Sequence, residues 1–337
     1  DNEEIESMDG LRRKVNPPML YSGNPVLKPE MPWEDSVSHY GTVLYDEELK
    51  QFRFWYFSSV GRRPEPFRLN GREVPVNWSF LCYATSQDGI HWERPNLGQV
   101  EFEGSTDNNI IRIGTGCIEG VAVMHEPGEA DPQKRYKALY WNMDGPFITQ
   151  ADGAMTLGRD NNPHDGVCVA WSPDGLHWTD YDKNPVYCGS DTSHYLVKDP
   201  RGEKYLAYGR FNGVRFRDDG GRIQWQRRVA CIESRDFINW TKGVPVMEAD
   251  HYDETTMPDT QIYGMTVDQY EGIFIGGVWM YHRGRDHTID TQLAVSRNGY
   301  SWARVGDNDF HKRPLGRDPV KEDVDRQVWL PLGPDGS

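Results

Sequence analysis

Acidic side chains recur at one kind of place in this chain. Glu34 and Asp35 (PWEDSVSHYGTV), Glu119 (GCIEGVAV), Asp191 (GSDTSHYLV) and Asp259 (MPDTQIYGM) each stand at the start of a short, largely apolar run. Asp191 and Asp259 share the pattern Asp-Thr-x-x-Tyr. Carboxylates brought close together repel, which raises the pKa of one and allows an acid and a base to work side by side. An Asp at a strand start also has a plainer use, holding a loop backbone N–H. Two histidines, His39 and His194, lie beside these carboxylates and could bind substrate, ligate a metal or be satisfied core residues. A second set of residues follows the next apolar run of each unit: Trp55 and Tyr56, Trp141 and Asn142, Arg210, and Trp279, Tyr281 and His282. Aromatic faces suit the apolar faces of sugar rings, and Arg and Asn suit hydroxyl or carboxylate groups. Some of these rings would instead be packing.

What must position these groups is a repeat. SQDGIHW (Ser86–Trp92), SPDGLHW (Ser172–Trp178), SRDFINW (Ser234–Trp240) and SRNGYSW (Ser296–Trp302) are four versions of one heptapeptide. Before each lie three strand-like runs separated by polar turns, and a short fourth run follows the Trp. Four antiparallel strands per unit, repeated, make a β-propeller blade. The heptapeptide is then the hairpin between the third and fourth strands, with Asp-Gly or Asn-Gly as the turn, and its Trp packs between blades. The first strands are expected at Gly41–Tyr45, Val121–His125, Tyr195–Lys198 and Tyr263–Val267, lining a central channel. The carboxylates then fall at the end of that channel where the second strands finish. The sequence therefore predicts an all-β, five-bladed propeller over residues 33–337, preceded by an extension (1–32) that helps close the ring. Four full units are visible, and the fifth blade is short or built from both termini.

Composition agrees. The 337 residues include 12 Trp, 17 Tyr and 12 Phe beside 34 Gly and 22 Pro, the mixture of short aromatic strands and frequent turns. A net charge of −15 disfavours nucleic acid or an anionic membrane as partner. Five cysteines without paired spacing indicate neither a disulfide framework nor a zinc site, and Cys82 and Cys168 read as small buried side chains. No cofactor or catalytic metal is called for. The acidic pair Asp253–Glu254 is a candidate for a structural Ca²⁺, against the plainer reading of a solvated loop. Export, to a secreted or periplasmic location, is the expected setting, and a homo-oligomer is compatible with a short last blade.

The stretch SPDGLHWTD, then NPVYCGSDTSHYLVKDPRGEKYLAYGR, RRVACIESRDFINW and TQLAVSRNGYSW, resembles the five-bladed propeller glycoside hydrolases, the broad group of families 32, 43, 62, 68 and 117. The resemblance spans roughly residues 33–305. It implies cleavage of a terminal sugar from an oligo- or polysaccharide by three channel carboxylates. Carried over by position, Asp35 or Glu34 would be the base, Asp191 the modulator of pKa and Glu119 the acid. The usual Asp-Pro at the first inner strand is absent here, and the group's acid usually follows the modulator, which makes Asp259 the alternative acid. A binding propeller without catalysis and a glycoside phosphorylase are the competing readings. Long loops at 61–77, 145–163 and 212–226 would wall a pocket suited to chain-end attack.

Overall fold

The structure, a computed structural model, describes residues 18–61, 65–74, 78–143, 147–149, 155–157, 166–188, 190, 194–211, 214–217, 223–250, 253, 259–284, 287–305 and 330–331. The elements that can be followed among these residues are strands and the 3₁₀ turn Pro132–Lys134. The first blade sheet comprises β1 (Ser36–Asp46), β2 (Gln51–Val60), β5 (Trp78–Ser86) and β6 (Trp92–Glu93) in that spatial order. A small hairpin, β3 (Phe67–Leu69) with β4 (Arg72–Val74), interrupts it, and β7 (Ile110–Ile111) pairs with β5. The second sheet has β8 (Cys117–His125), β9 (Tyr136–Met143), β12 (Gly166–Ser172) and β13 (Thr179–Asp180), with β10 (Phe147–Thr149) and β11 (Met155–Leu157) as its inserted hairpin. The third has β14 (Tyr195–Lys198), β15 (Tyr205–Gly209), β18 (Val229–Ser234) and β19 (Val244–Met247), interrupted by β16 (Val214–Arg217) and β17 (Ile223–Gln226). The fourth runs β20 (Thr260–Tyr270), β21 (Ile273–His282), β22 (Ile289–Ser296) and β23 (Ala303–Arg304), and β24 (Leu330–Pro331) pairs with β22.

This is an all-β chain with a propeller-like arrangement of antiparallel sheets, as the repeat requires. The expected number of blades is corrected: four blade sheets, not five, stand among the described residues. Most of the residues left for a fifth, before 18 and from 306 to 329, lie outside the described residues, and Leu330–Pro331 joins the fourth sheet as an added strand. Three inner strands are also longer than their apolar runs suggested, so Glu119 lies inside β8 rather than ahead of it.

The four heptapeptides form one hydrogen-bonded design. Ser172 Oγ accepts from the Gly175 N–H at 2.9 Å, and Asp174 Oδ1 accepts from the Leu176 and His177 N–H groups, both at 2.8 Å. The set starting at Ser86 repeats this with the same distances. The turn residue has positive φ in every copy: Gly89, Gly175, Gly299 and, unusually, Phe237 at 65°. A non-glycine residue there costs about 1–3 kcal/mol of strain, and Phe237 is held by its burial among Trp171, Tyr205 and Trp240.

The chain divides into two compact units: Tyr21–Gly213 with Cys231–Gly243, and Asp1–Leu20 with Val214–Ala230 and Val244–Ser337. In the first of these, the first two sheets are joined by a core that includes Trp55, Leu81, Tyr83, Ile118, Val123, Tyr136 and Tyr140. Arg53 lies inside it. Its Nε donates to Tyr83 Oη (2.6 Å), Nη1 to Tyr136 Oη (2.7 Å) and Nη2 to the Asp174 carbonyl (2.6 Å), with Asp46 as counter-ion at 3.3 Å. Trp55 Nε1 donates to the Gly175 carbonyl at 2.6 Å. A β-carbon on Gly175 would stand 2.7 Å from that indole, so the glycine serves the close approach as well as the turn. The heptapeptide of one blade is thus the anchor for its neighbour. All five cysteines are free thiols, Cys82 and Cys168 buried as expected, and Cys188 exposed. No helix among the described residues is long and apolar enough to cross a membrane.

Candidate functional site

Of the fifteen candidate catalytic and binding residues, eleven belong to the Tyr21–Gly213 unit and four, Asp259, Trp279, Tyr281 and His282, to the other.

Glu34 is almost fully buried and belongs to the framework. Arg94 grips both its oxygens, Nε to Oε1 and Nη2 to Oε2, each at 3.0 Å, and Tyr56 Oη donates to Oε1 at 2.5 Å. Tyr56 is linked on to Asn109, which also takes the Trp33 indole N–H at 2.8 Å. That network fixes the segment that presents the next residue. Asp35 is only partly buried; its N–H donates to the Ser59 carbonyl, and its Oδ2 accepts from the Gly61 N–H at 2.8 Å. His39 sits where β1 breaks register, in the stretch between the pairs Ser38–Phe57 and Thr42–Trp55.

Glu119 faces Trp141 across the β8–β9 ladder, and the register then shifts before Ala122 meets Leu139. Three residues advance on β8 against two on β9, so one residue is extra. Gly120 supplies the turn, with φ of 56°. Bulges of this kind redirect side chains and are common beside active sites. β20 carries one as well, between Ile262 and Gly264. The inner strands of three sheets therefore lose regularity at the end where the candidate residues stand.

Trp141 and Asn142 are buried, at 4% and 2% exposure. Trp141 packs with Cys117, Met143 and Trp78, and Asn142 Oδ1 accepts the N–H groups of Thr115 and Gly116, shaping the approach to β8. Both support Glu119 rather than offer an open platform for a sugar. His194 is buried too, with Nδ1 at 2.8 Å from the Gly120 carbonyl and Nε2 at 2.8 Å from Ser190 Oγ. Arg210 is buried close to it. Asp191 lies outside the described residues.

In the other unit Asp259 is exposed, has φ of 58°, accepts from Gln261 Nε2 at 2.9 Å and pairs with Arg283 at 3.4 Å. Trp279 is buried opposite Thr291. Tyr281 is half-buried, its hydroxyl 2.8 Å from His287 Nδ1, and Arg227 lies over both the Tyr281 and Tyr263 rings at 5.5 Å. His282 is buried with Nε2 at 2.5 Å from Asp290 Oδ2. Asp253 is taken by Arg304, at 2.7 and 3.0 Å, and Glu254 lies outside the described residues. No cluster of three or more His, Cys, Asp or Glu that could hold a metal occurs among the described residues.

Arg227, Gln261 and Asp290 were not singled out from the sequence. Asp290 stands on a third strand and Arg227 just ahead of one, away from the first-strand starts and second-strand ends to which the repeat points.

No family model and no curated protein matches this sequence. Solved structures do match in fold. A glycoside hydrolase superposes with a TM-score of 0.51 at 12% identity, covering 81% of this chain and 73% of that one. An N-acetylgalactosamine deacetylase from F. plautii, in complex with blood group B trisaccharide, gives 0.51 at 16% identity over 90% and 72%. The catalytic domain of a Coprinopsis cinerea GH62 alpha-L-arabinofuranosidase gives 0.50 at 11% over 85% and 73%. At these identities the common property is the fold, so the chain takes its place among these structures by its antiparallel blade sheets in propeller-like arrangement.

Proposed function

We propose that the chain is an exo-acting glycoside hydrolase that removes a terminal sugar from an oligo- or polysaccharide outside the cytoplasm. The observation that carries this reading is the placement of Glu119 at a glycine bulge, partly buried, on the innermost strand of the second sheet. A general acid at this place must hold its proton until the glycosidic bond breaks. Glu119 gives its proton to the glycosidic oxygen as the bond from that oxygen to the anomeric carbon breaks. A water forms the new bond to that carbon and gives its proton to Asp35, the base. Asp191 modulates the pair, and Asp259 is the second candidate for the acid. Separations of roughly 6.5–9.5 Å and about 5–5.5 Å between acid and opposed carboxylate correspond to inversion and retention respectively.

The fold likeness and the hairpins inserted between second and third strands in the first two sheets support a walled pocket for a chain end.

The test is sugar release from a broad glycan panel, with and without phosphate, by wild type, Asp191→Asn and Glu119→Gln. Release that both variants lose supports the hydrolase, and release only with phosphate makes it a phosphorylase. Glycan binding without release by the wild type replaces the enzyme with a carbohydrate-binding propeller.

A further inference from the structure

Every polar atom of the His194 ring is engaged within the protein. A carbonyl oxygen only accepts, so Nδ1 carries the proton and donates to Gly120 O; Nε2 is left as the acceptor for the Ser190 hydroxyl. The ring is 2% exposed and lies on Phe211, with centroids 5.3 Å apart and planes at 25°. A β-carbon on Gly209 would stand 2.9 Å from His194 Cδ2, so the glycine makes room for the ring. A ring enclosed in this way has no edge to offer a sugar. What it does hold is the carbonyl of the bulge residue that follows Glu119, reached from the third sheet into the second.

We propose that His194 is the positioning residue for Glu119: its neutral imidazole fixes the Gly120 carbonyl, and through it the bulge that aims the Glu119 carboxyl. The proposal rests on the assignment of Glu119 as the general acid. Burial, together with the nearby Arg210 charge, holds the His194 pKa down to about 4, against the Gly120 hydrogen bond, which works the other way. The ring therefore stays neutral, with the same donor pattern, across the range in which a carboxylic acid would act. Displacing a catalytic group by about 1 Å can cost about 10²-fold in rate, so this contact has leverage without touching substrate.

The test compares His194→Leu, which removes the donor, with His194→Asn, whose amide N–H takes the place of Nδ1–H. Each is assayed on the glycoside that the panel identifies and on the 2,4-dinitrophenyl glycoside of the same sugar, whose leaving group needs little protonation. For His194→Leu we expect kcat on the natural glycoside to fall by about 10–100-fold with KM within about twofold, and the loss to shrink to about threefold or less on the activated substrate. His194→Asn should stay within about threefold of wild type on both. An equal loss on both substrates with a raised KM would make His194 a binding or purely structural residue and overturn the proposal. Glu119→Gln separates the two layers. If it lacks the leaving-group dependence, the acid assignment fails and takes this inference with it; if it has the dependence and His194→Leu does not, only the inference fails. Crystal structures of the two His194 variants decide the matter even without a substrate. The Gly120 carbonyl and Glu119 carboxyl should move in His194→Leu and stay in His194→Asn, and an unmoved Glu119 in His194→Leu refutes the positioning role.

Discussion

At the heptapeptide end of the second sheet, Ser172, Asp174 and Gly175 repeat a hydrogen-bonded turn found in three other blades, and the neighbouring blade is fastened to its carbonyls. At the opposite end, β8 breaks register at Glu119, needs a glycine at positive φ and is held by a histidine from the next sheet. One end is regular and carries packing. The other is irregular and carries Glu119, with Trp141 opposite it on the ladder and Asn142 and His194 as buried supports of the backbone around it. The contrast separates stability from chemistry within a single sheet, and substitutions at the two ends should fail in different ways.

The largest effect belongs to the irregular end. Glu119→Gln should lower release of an unactivated sugar by about 10²–10⁴-fold while denaturant midpoints stay close to wild type; a matching loss of stability would move Glu119 into the framework beside Glu34. The regular end should show the reverse. Arg53→Met leaves Asp46 without its buried counter-ion and should cost about 3–5 kcal/mol in urea unfolding, with kcat of the folded fraction unchanged. A smaller effect is expected at the deviant turn. Phe237→Gly relieves strain of about 1–3 kcal/mol but empties a site where Phe truncation costs about 3–5 kcal/mol, so a net loss of about 2 kcal/mol should appear in the same assay. A gain would mean that the ring contributes little packing.

The smallest effect is one of pH. Glu126 is bound by Lys137 and Lys198, and although its burial works the other way, those bonds hold its pKa down to about 2 from 4.5. A depressed carboxyl stabilises the fold above its unfolded pKa and loses that contribution as pH falls from about 4.5 towards 2. Glu126→Gln should therefore flatten the acid side of the stability profile in that window, measured by thermal unfolding, and leave it unaltered if the lysines find other partners.

The regular end was legible in the sequence because its signals are local: Ser, Asp and Gly lie within four residues of one another and recur. Strand existence and blade order followed from the same repeat. The irregular end was only half legible. The positions of Glu119 and His194 drew attention, yet a bulge adds one residue to a period-two pattern, and no residue type announces it. Glu34 read like a catalytic group because its true partner, Arg94, is 60 residues away. Trp141 and Asn142 read like a sugar platform because side-chain chemistry alone does not distinguish a buried face from an open one.

The bond from Trp55 to Gly175 joins residues 120 apart in the chain. The first sheet, whose strands are near neighbours in sequence, can therefore pair long before its innermost indole acquires that partner. During synthesis, a nascent chain that has finished the first blade still exposes one flank of Trp55 and the Arg53 guanidinium until the second hairpin emerges. Closing so long a segment is slow relative to pairing adjacent strands. In the interval, the aromatic flank of the first blade is the surface most open to a wrong partner.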